Sequence, residues 1–361
     1  MDFLWYTVAV PVTFFFGLYV ALPIMVIINP WLQTKMVFLH IVKAPFVDYS
    51  KPKRLGNKNL KSGRCFYLPV TNGVRIGVWH VLPESIPEPE QEEDYIHTLK
   101  EGKPIFIYLH GTAATRAHTP RMNMLKRLSS LDNHVFSIDY RGFADSSGSP
   151  TEEGVVEDAF CMYKWVKEHC GDSPIIIWGH SLGTGVATLL VRHLCYTKEK
   201  LAGLVLEAPF NNLRDAARKH PLSKPFRFLP WFERAFLDTA AQINISFESD
   251  KHITHITVPI MMVHSKDDGD VPIDLGMKLY EVALKNRPNG AGPVQFYAVN
   301  HCGHIHISQA PEFPYIVRKF LKTCGCGDSS FCDKDYNCST DIDWAALSPG
   351  TLDHRADNKD Q

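Results

Sequence analysis

The chain has 361 residues, of which 38 are lysine or arginine and 39 are aspartate or glutamate, and 45% are hydrophobic. This length is enough to bury a large core and to form one α/β domain with appendages. The balanced charge, without basic runs or zinc-finger spacing, argues against a nucleic-acid partner.

The N-terminus is a long uncharged segment. No charged residue occurs from Phe3 to Ile28, and as a helix this segment would span roughly 39 Å at about 1.5 Å per residue, enough to cross a bilayer. A cleaved signal peptide is the alternative. It fits less well, because the segment is too long, no basic residues precede it and no small-residue cleavage site follows. We predict a transmembrane anchor over 1–30 and a juxtamembrane linker over 31–62.

The next region alternates apolar runs with helical patterns. Two runs at 65–70 and 74–79 flank Asn72-Gly73, which is a hairpin signal. The alternation that follows predicts a mainly parallel sheet with helices on both faces, eight strands in all, with the hairpin as its antiparallel edge. The predicted domain covers 63–323. Its other predicted strands are 105–109, 135–139, 175–178, 204–207, 260–264 and 294–299.

One interval of this domain, from about 211 to 255, is too long for a simple connection. It is aromatic and broken by prolines, and we predict that it forms a cap over the carboxyl edge of the sheet. Its aromatic residues either line an acyl-chain pocket or pack the cap onto the core. Its cations either are solvated surface charges or bind an anionic head group. They are Arg214, Arg218, Lys219, Lys224 and Arg227.

The most informative motif is Gly179-His180-Ser181-Leu182-Gly183. An apolar run precedes it and a helical pattern follows it, so the serine lies on a sharp strand-to-helix turn. This is the arrangement that presents a nucleophilic hydroxyl at the top of a sheet. The two outer glycines let the strand and the helix approach closely. We therefore predict that Ser181 is a nucleophile.

A serine needs a base to take its proton and an acid to orient that base. On such a fold the acid and then the histidine follow later strands. Asp267, Asp268 and Asp270 compete for the acid, and Asp268 is favoured because it stands three residues before Val271-Pro272. The other two read as surface or turn carboxylates.

Three histidines compete for the base after the last strand. We favour His304, which follows Gly303 and precedes a predicted helix; the others are His301 and His306. The alternative is a partial metal site made of these histidines, but no carboxylate stands close to them in the sequence. The chain is therefore predicted to need no metal.

The oxyanion of the reaction needs backbone donors. One is predicted to be the N–H of Leu182, directly after the serine. The other is predicted to be the N–H of Thr112, because His110-Gly111-Thr112 begins a small-residue loop directly after a strand. A plain glycine turn is the alternative interpretation of that loop.

The polar tail, 324–361, carries four clustered cysteines, Cys324, Cys326, Cys332 and Cys338. Their spacing fits a disulfide cluster of an oxidising compartment better than a zinc site. Asn244 and Asn337 each begin a glycosylation sequon. Both observations favour a lumenal domain, whereas the lysines and arginines that follow the anchor favour a cytosolic one. We predict the lumenal side.

Taken together, these segments resemble one branch of the α/β-hydrolase-domain family. The segments are 107–111, 137–143, 177–188 and 206–211, with those of Asp268 and His304. The branch contains the membrane lysophosphatidylserine lipases and monoacylglycerol lipases, and the chain is similar to its shorter paralogue. Two departures are Ala144, where a glycine is usual, and the cysteine tail.

This resemblance implies an α/β-hydrolase fold and an ester hydrolase acting on lysophospholipids and monoacylglycerols. It assigns the nucleophile, acid and base positions to Ser181, Asp268 and His304. It also implies an endoplasmic-reticulum membrane protein with one N-terminal helix and a lumenal catalytic domain. No cofactor is expected, and the expected partners are the lipid ester and the membrane. The alternatives are an acyl-protein thioesterase and a non-catalytic binding protein on the same scaffold.

Overall fold

The computed structural model describes residues 5–42, 47–52, 60 and 62–326. Its centre is one eight-stranded sheet in the order β1-β2-β4-β3-β5-β6-β7-β8. The predicted hairpin is present, with β1 antiparallel to β2 and β2 antiparallel to β4, and all later neighbours are parallel. The strands are Arg64–Pro69, Arg75–Val81, Ile105–Leu109, His134–Asp139, Ile175–His180, Gly203–Glu207, Ile260–Ser265 and Val294–Val299.

Helices cover both faces of the sheet, as the alternating pattern predicts. Residues of the helices at Glu152–His169, Leu182–Tyr196 and Ile273–Asn286 pack on one face. Residues of the helices at Thr119–Ser130 and Phe313–Thr323 pack on the other. Neighbouring residues of β3 divide between the two cores: Ile105 and Ile107 face the first, and Phe106 faces the second. This two-sided burial explains why the parallel strands read as continuous apolar runs. The helices are α1 Tyr6–Ile27, α2 Pro30–Phe38, α3 Glu92–Thr98, α4 Thr119–Ser130, α5 Glu152–His169, α6 Leu182–Tyr196, α7 Leu213–Lys219, α8 Thr239–Gln242, α9 Ser249–His252, α10 Ile273–Asn286 and α11 Phe313–Thr323.

The first helix, α1, has 22 residues and is long and apolar enough to cross a membrane. At about 1.5 Å per residue it measures about 33 Å, against a hydrocarbon core of about 30 Å. Only 11% of its most apolar window is buried inside the protein. It is therefore an exposed apolar helix and not a core helix of the domain.

Part of the segment predicted as a linker is helical. Asn29 caps α2 by accepting a hydrogen bond from the Leu32 N–H, and Pro30 occupies the first turn. At the other end Phe38 is fully buried and belongs to the main core. Residues 30–38 thus pack on the hydrolase domain, while 43–46, 53–59 and 61 lie outside the described residues.

The segment predicted as a cap lies between β6 and β7 and is entirely helix and turn. It contains α7, α8 and α9, two short 3₁₀ turns, and a π-helix at Glu233–Asp238. The π-helix contacts the end of α1, and α8 contacts α2. Aromatic rings cluster around Phe236 in this segment, where it meets Phe226, Trp231 and Phe232. The cap is therefore packed against the N-terminal helices.

The tail is described only as far as Cys326. Cys324 and Cys326 are both free thiols and are not bridged to each other. Cys332 and Cys338 lie outside the described residues, so the predicted disulfide cluster remains a prediction. The second sequon, at Asn337, also lies outside them. Asn244 is exposed, in a left-handed turn with φ 56° that asparagine tolerates well.

Candidate active site

The predicted nucleophile, Ser181, lies between β5 and α6 with φ 52° and ψ −120°. This strained backbone conformation is possible because both outer glycines of the motif lie where the chain packs too closely to admit a side chain. A Cβ built on Gly179 would come within 2.3 Å of the Gly183 carbonyl oxygen, and a Cβ on Gly183 within 2.1 Å of the Leu109 carbonyl oxygen. Any larger residue would push the helix off the strand. The motif therefore forms the predicted sharp elbow.

The structure brings the three predicted triad residues together at the carboxyl ends of β5, β7 and β8. The Oγ of Ser181 lies 2.9 Å from the Nε2 of His304, and the Nδ1 of His304 lies 2.8 Å from the Oδ2 of Asp268. These contacts span 123 and 36 residues of sequence. Such a chain of hydrogen bonds is what a serine nucleophile needs for activation.

The surroundings of Asp268 favour its charged form. Burial alone would raise the pKa of this carboxyl group, but hydrogen bonds to His264 and His304 lower it well below its usual range. Its other oxygen accepts hydrogen bonds from the N–H groups of Asp270 and Val271. Asp268 is thus held as a carboxylate in one orientation.

The pKa of His304 is shifted the other way. Burial would lower this pKa, yet the hydrogen bond and the charge of Asp268 raise it above the usual value of 6.5. The pair is therefore arranged so that a proton taken from Ser181 is stabilised on the imidazole ring. This is the electrostatic arrangement of a general base.

The other histidine and aspartate candidates for the triad make different contacts. His301 and His306 are exposed on the same loop, while the His304 ring is engaged on both nitrogens. Asp267 is not merely a turn carboxylate. Its Oδ1 accepts hydrogen bonds from the N–H groups of Cys302 and Gly303, both at 3.2 Å. Asp267 therefore stabilises the loop that carries His304. The sequence did not indicate this role.

No partial metal site replaces the triad in the part of the chain that the structure describes. There, no group of three or more histidine, cysteine, aspartate or glutamate side chains is arranged to hold a metal ion.

The predicted oxyanion loop follows β3 and lies against the nucleophile. A Cβ built on Gly111 would come within 2.9 Å of the Ser181 Cβ. Among the described residues, neither the N–H of Leu182 nor the N–H of Thr112 donates a hydrogen bond to another group of the protein. Two unengaged amides on either side of the serine are suited to stabilise a developing negative charge.

Two buried residues at the site were not identified from the sequence. His180, inside the elbow, donates from Nε2 to the carbonyl oxygen of His304 at 3.0 Å. Glu207 ends β6, and its carboxylate accepts a hydrogen bond from the Trp178 indole. Burial raises the pKa of Glu207 to about 7. Only its position after a buried strand could have drawn attention to this residue.

Most of the predicted cap cations are already paired. Arg214 and Arg218 both contact Glu233, and Lys219 contacts Asp274. Within the described residues, Lys224 and Arg227 form no ion pair with a carboxylate. Of the five predicted cations, these two therefore keep a charge that no carboxylate neutralises, although the Arg227 guanidinium donates to the Ser223 hydroxyl and to the His220 carbonyl oxygen.

Comparison with known proteins agrees with this geometry. Residues 104–246 match the family model of the alpha/beta hydrolase fold. The zebrafish Danio rerio protein named lysophosphatidylserine lipase ABHD12 is 41% identical over 313 residues, covering 85% of this chain and 81% of the relative. This chain belongs to the ABHD12 family.

Other ABHD12-family proteins give the same result. The rat protein of the same name is 41% identical over 84% of this chain, and the match covers 78% of the rat protein. The human protein ABHD12B is 41% identical over 79% of each chain. The predicted family and fold are confirmed by these relatives, and the predicted hydrolase class agrees with them.

Solved structures are similar at the level of the fold. An α/β hydrolase from Vibrio vulnificus matches with a TM-score of 0.59 at 15% identity, over 82% of this chain and 94% of that one. The Pyrococcus furiosus esterase Pf2001 matches with a TM-score of 0.53 at 19% identity, over 72% and 90%. Both likenesses concern the hydrolase domain architecture that the ABHD12 family shares.

Proposed function

We propose that this protein is a membrane-anchored serine hydrolase that cleaves the acyl ester of lysophospholipids, such as lysophosphatidylserine, and of monoacylglycerols. The observation that carries the proposal is the hydrogen-bonded chain from Ser181 through His304 to Asp268 on a strained elbow. The relatives named lysophosphatidylserine lipase, at 41% identity, support the choice of lipid class.

The reaction follows from this geometry. The Oγ of Ser181 attacks the acyl carbonyl carbon while the Nε2 of His304 takes the hydroxyl proton. Asp268 holds the ring at Nδ1 and stabilises the imidazolium. The carbonyl oxygen becomes negative and accepts hydrogen bonds from the Leu182 and Thr112 N–H groups. No metal or cofactor is needed for any of these steps.

The second half returns the enzyme to its starting state. His304 gives its proton to the glycerol oxygen, which leaves as an alcohol. A water molecule then loses a proton to the same Nε2 and attacks the acyl-enzyme. The fatty acid departs, and the proton returns to the oxygen of Ser181.

The position in the cell is part of the same proposal. We propose that Tyr6–Ile27 spans the endoplasmic reticulum membrane once, with the hydrolase domain in the lumen. An exposed sequon asparagine, Asn244, and the four tail cysteines support this side of the membrane. A helical cap packed on the end of α1 also suits a substrate that reaches the site from a bilayer.

The decisive experiment compares the full-length protein with Ser181→Ala in mixed micelles. Fatty-acid release is measured from lysophosphatidylserine, lysophosphatidylcholine, a monoacylglycerol and an acyl thioester, together with labelling by a fluorophosphonate probe. The parent should hydrolyse the lipid esters and label, and Ser181→Ala should do neither while remaining folded. Preference for the thioester would favour a thioesterase. Lipid binding without turnover would favour a binding protein.

A further inference from the structure

The oxyanion loop is held in an unfavourable conformation. Ala113 and Ala114 have φ values of 59° and 54°, which lie in the left-handed region that is unfavourable for residues with a Cβ. Such a conformation persists only where neighbouring groups hold it. The surroundings of the loop should therefore contain its restraints.

One restraint is Arg121 of α4, whose side chain is buried. Its Nη2 donates to three successive carbonyl oxygens, those of Gly111, Thr112 and Ala113, at 3.0, 3.2 and 2.7 Å. In a trans peptide the C=O and the following N–H point in opposite directions. Holding the Gly111 carbonyl therefore turns the Thr112 N–H away from Arg121. The Gly111 carbonyl oxygen also accepts from the Nδ1 of His110 at 2.8 Å.

A restraint on the other side of the loop comes from the end of α2. The N–H of Ala113 donates to the carbonyl oxygen of Phe38 at 3.0 Å, and the Thr112 hydroxyl lies 3.4 Å from the carbonyl oxygen of Val37. These carbonyls belong to the last turn of the helix, where no intrahelical donor is available. Since the Thr112 C=O points to Arg121 and the Ala113 N–H to Phe38, the two restraints act on opposite sides of the loop.

The end of α2 is itself firmly placed. The ring of Phe38 is fully buried and packs edge to face on Phe143 and Phe247, with ring centroids 6.5 and 6.3 Å away. Within the first half of the same helix, Gln33 donates from Nε2 to the Val26 and Ile27 carbonyls of α1. A continuous path of contacts thus joins the base of the apolar helix to the loop beside the nucleophile.

We propose that Arg121 and the docked end of α2 at Phe38 are positioning residues that hold the Thr112 amide toward Ser181. The oxyanion hole is then complete only while α2, which directly follows the apolar helix α1 in the chain, is packed on the hydrolase domain. The anchor region acts in catalysis as well as in attachment. This inference rests on the proposed function, because it assumes that Thr112 stabilises the oxyanion.

The test measures the hydrolysis of a short water-soluble ester, p-nitrophenyl butyrate, by the full-length protein in detergent micelles. This substrate avoids any effect on lipid extraction. Active sites are titrated with a fluorophosphonate, so that kcat is expressed per folded site. Phe38→Ala and Arg121→Lys should each lower kcat about tenfold or more while KM changes by less than about threefold, because oxyanion contacts act in the transition state.

Each variant has a matched control on its own helix. Trp31→Ala removes an exposed ring from α2, and Arg127→Lys makes the same change elsewhere on α4; both should retain kcat within about twofold. Phe38→Leu keeps the position buried but loses both ring contacts, and should show an intermediate fall. If Phe38→Ala yields no titratable active sites, the kcat of Phe38→Leu decides whether α2 has a positioning role.

The outcomes separate this inference from the proposed function. Parent-like kcat per site in Arg121→Lys overturns the role of the arginine. Parent-like kcat in Phe38→Ala, or in Phe38→Leu where that variant decides, overturns the role of α2. A fall in the controls as large as in the test variants also overturns the inference. A parent protein that does not label at Ser181 instead contradicts the proposed function.

Discussion

The ring of His180 donates a hydrogen bond from Nε2 to the backbone carbonyl oxygen of His304, 124 residues away, at 3.0 Å. Burial, and to a smaller extent the neighbouring His304, lowers the pKa of His180 to about 3. The His180 ring is therefore neutral at physiological pH. The rings of the two histidines also lie 5.0 Å apart between centroids. The motif that contains Ser181 is thus in direct contact with the backbone of the proposed base.

The first prediction concerns this contact. His180→Leu removes the donor but keeps a buried side chain, and should lower kcat about ten- to a hundredfold, since small displacements of a catalytic group have effects of this size. His180→Gln, which keeps an N–H donor, should recover part of the loss. The kcat values and the melting temperatures of both variants are compared with the parent. Equal activity of His180→Leu and the parent would rule out the positioning role.

The second prediction separates the two neighbouring aspartates. Asp268→Asn should lower kcat by roughly 10³–10⁴, because the acid that sets the histidine tautomer is lost. Asp267→Asn should be mild, since the amide oxygen still accepts from Cys302 and Gly303. Asp267→Ala should cost about tenfold more than Asp267→Asn, because the loop loses its acceptor. Steady-state kinetics of the three variants tests this order, and an inactive Asp267→Asn would contradict it.

The third prediction is a pH dependence. His304 must be neutral to accept a proton, and its pKa lies above 6.5, so kcat/KM should rise as the pH increases through that pKa. Asp270→Asn removes a negative charge that favours the imidazolium and should move this acidic limb to lower pH. Residual activity of Asp268→Asn should show a larger shift in the same direction. A shift of the acidic limb of kcat/KM to higher pH in either variant would contradict the role of these carboxylates in raising the pKa of His304.

The fourth prediction concerns the head group. Replacing Lys224 and Arg227 together by alanine should lower kcat/KM for lysophosphatidylserine more than for a neutral monoacylglycerol. The difference should be about two- to thirtyfold, because exposed charge pairs contribute about 0.2–1 kcal/mol each. Arg214→Ala is the matched control, since its guanidinium is paired with Glu233 and Asp238. Equal losses on both lipids would exclude a head-group site here.

The fifth prediction concerns topology. In cells the protein should migrate faster after glycosidase treatment, and Asn244→Gln or Asn337→Gln should reduce that change. The tail cysteines should resist alkylation until a reductant is added. Protease protection on intact microsomes provides an independent measurement. A protein without glycan, with free tail thiols and a protease-sensitive domain, would lie in the cytosol.

Local chemistry explains what could be predicted. The strand positions follow from apolar runs, since strands buried on both faces need apolar residues throughout. The elbow follows from its glycines, because only glycine permits the approaches at 179 and 183. The meeting of Ser181, Asp268 and His304 follows from the rule that the carboxyl ends of parallel strands lie at one edge of the sheet.

The contacts that distinguish neighbouring candidates depended on the tertiary structure. The sequence favoured Asp268 by its spacing from Val271-Pro272 and His304 by the glycine before it. It did not show that Asp267 accepts hydrogen bonds from the backbone of the histidine loop, while Asp268 contacts the His304 ring. That difference is the direction of each side chain after β7, which a pattern of residue types does not contain.

By itself the sequence determined the family, the α/β sheet, the apolar N-terminal helix and the small set of residues from which a triad could be drawn. Each of these depends on residues that are close together along the chain. Only the tertiary structure decided that His180 supports the base, and that Arg121 and Phe38 flank the oxyanion loop. The His180 and Phe38 contacts join segments far apart in sequence. All of these hydrogen bonds use backbone carbonyls, which every residue type carries equally.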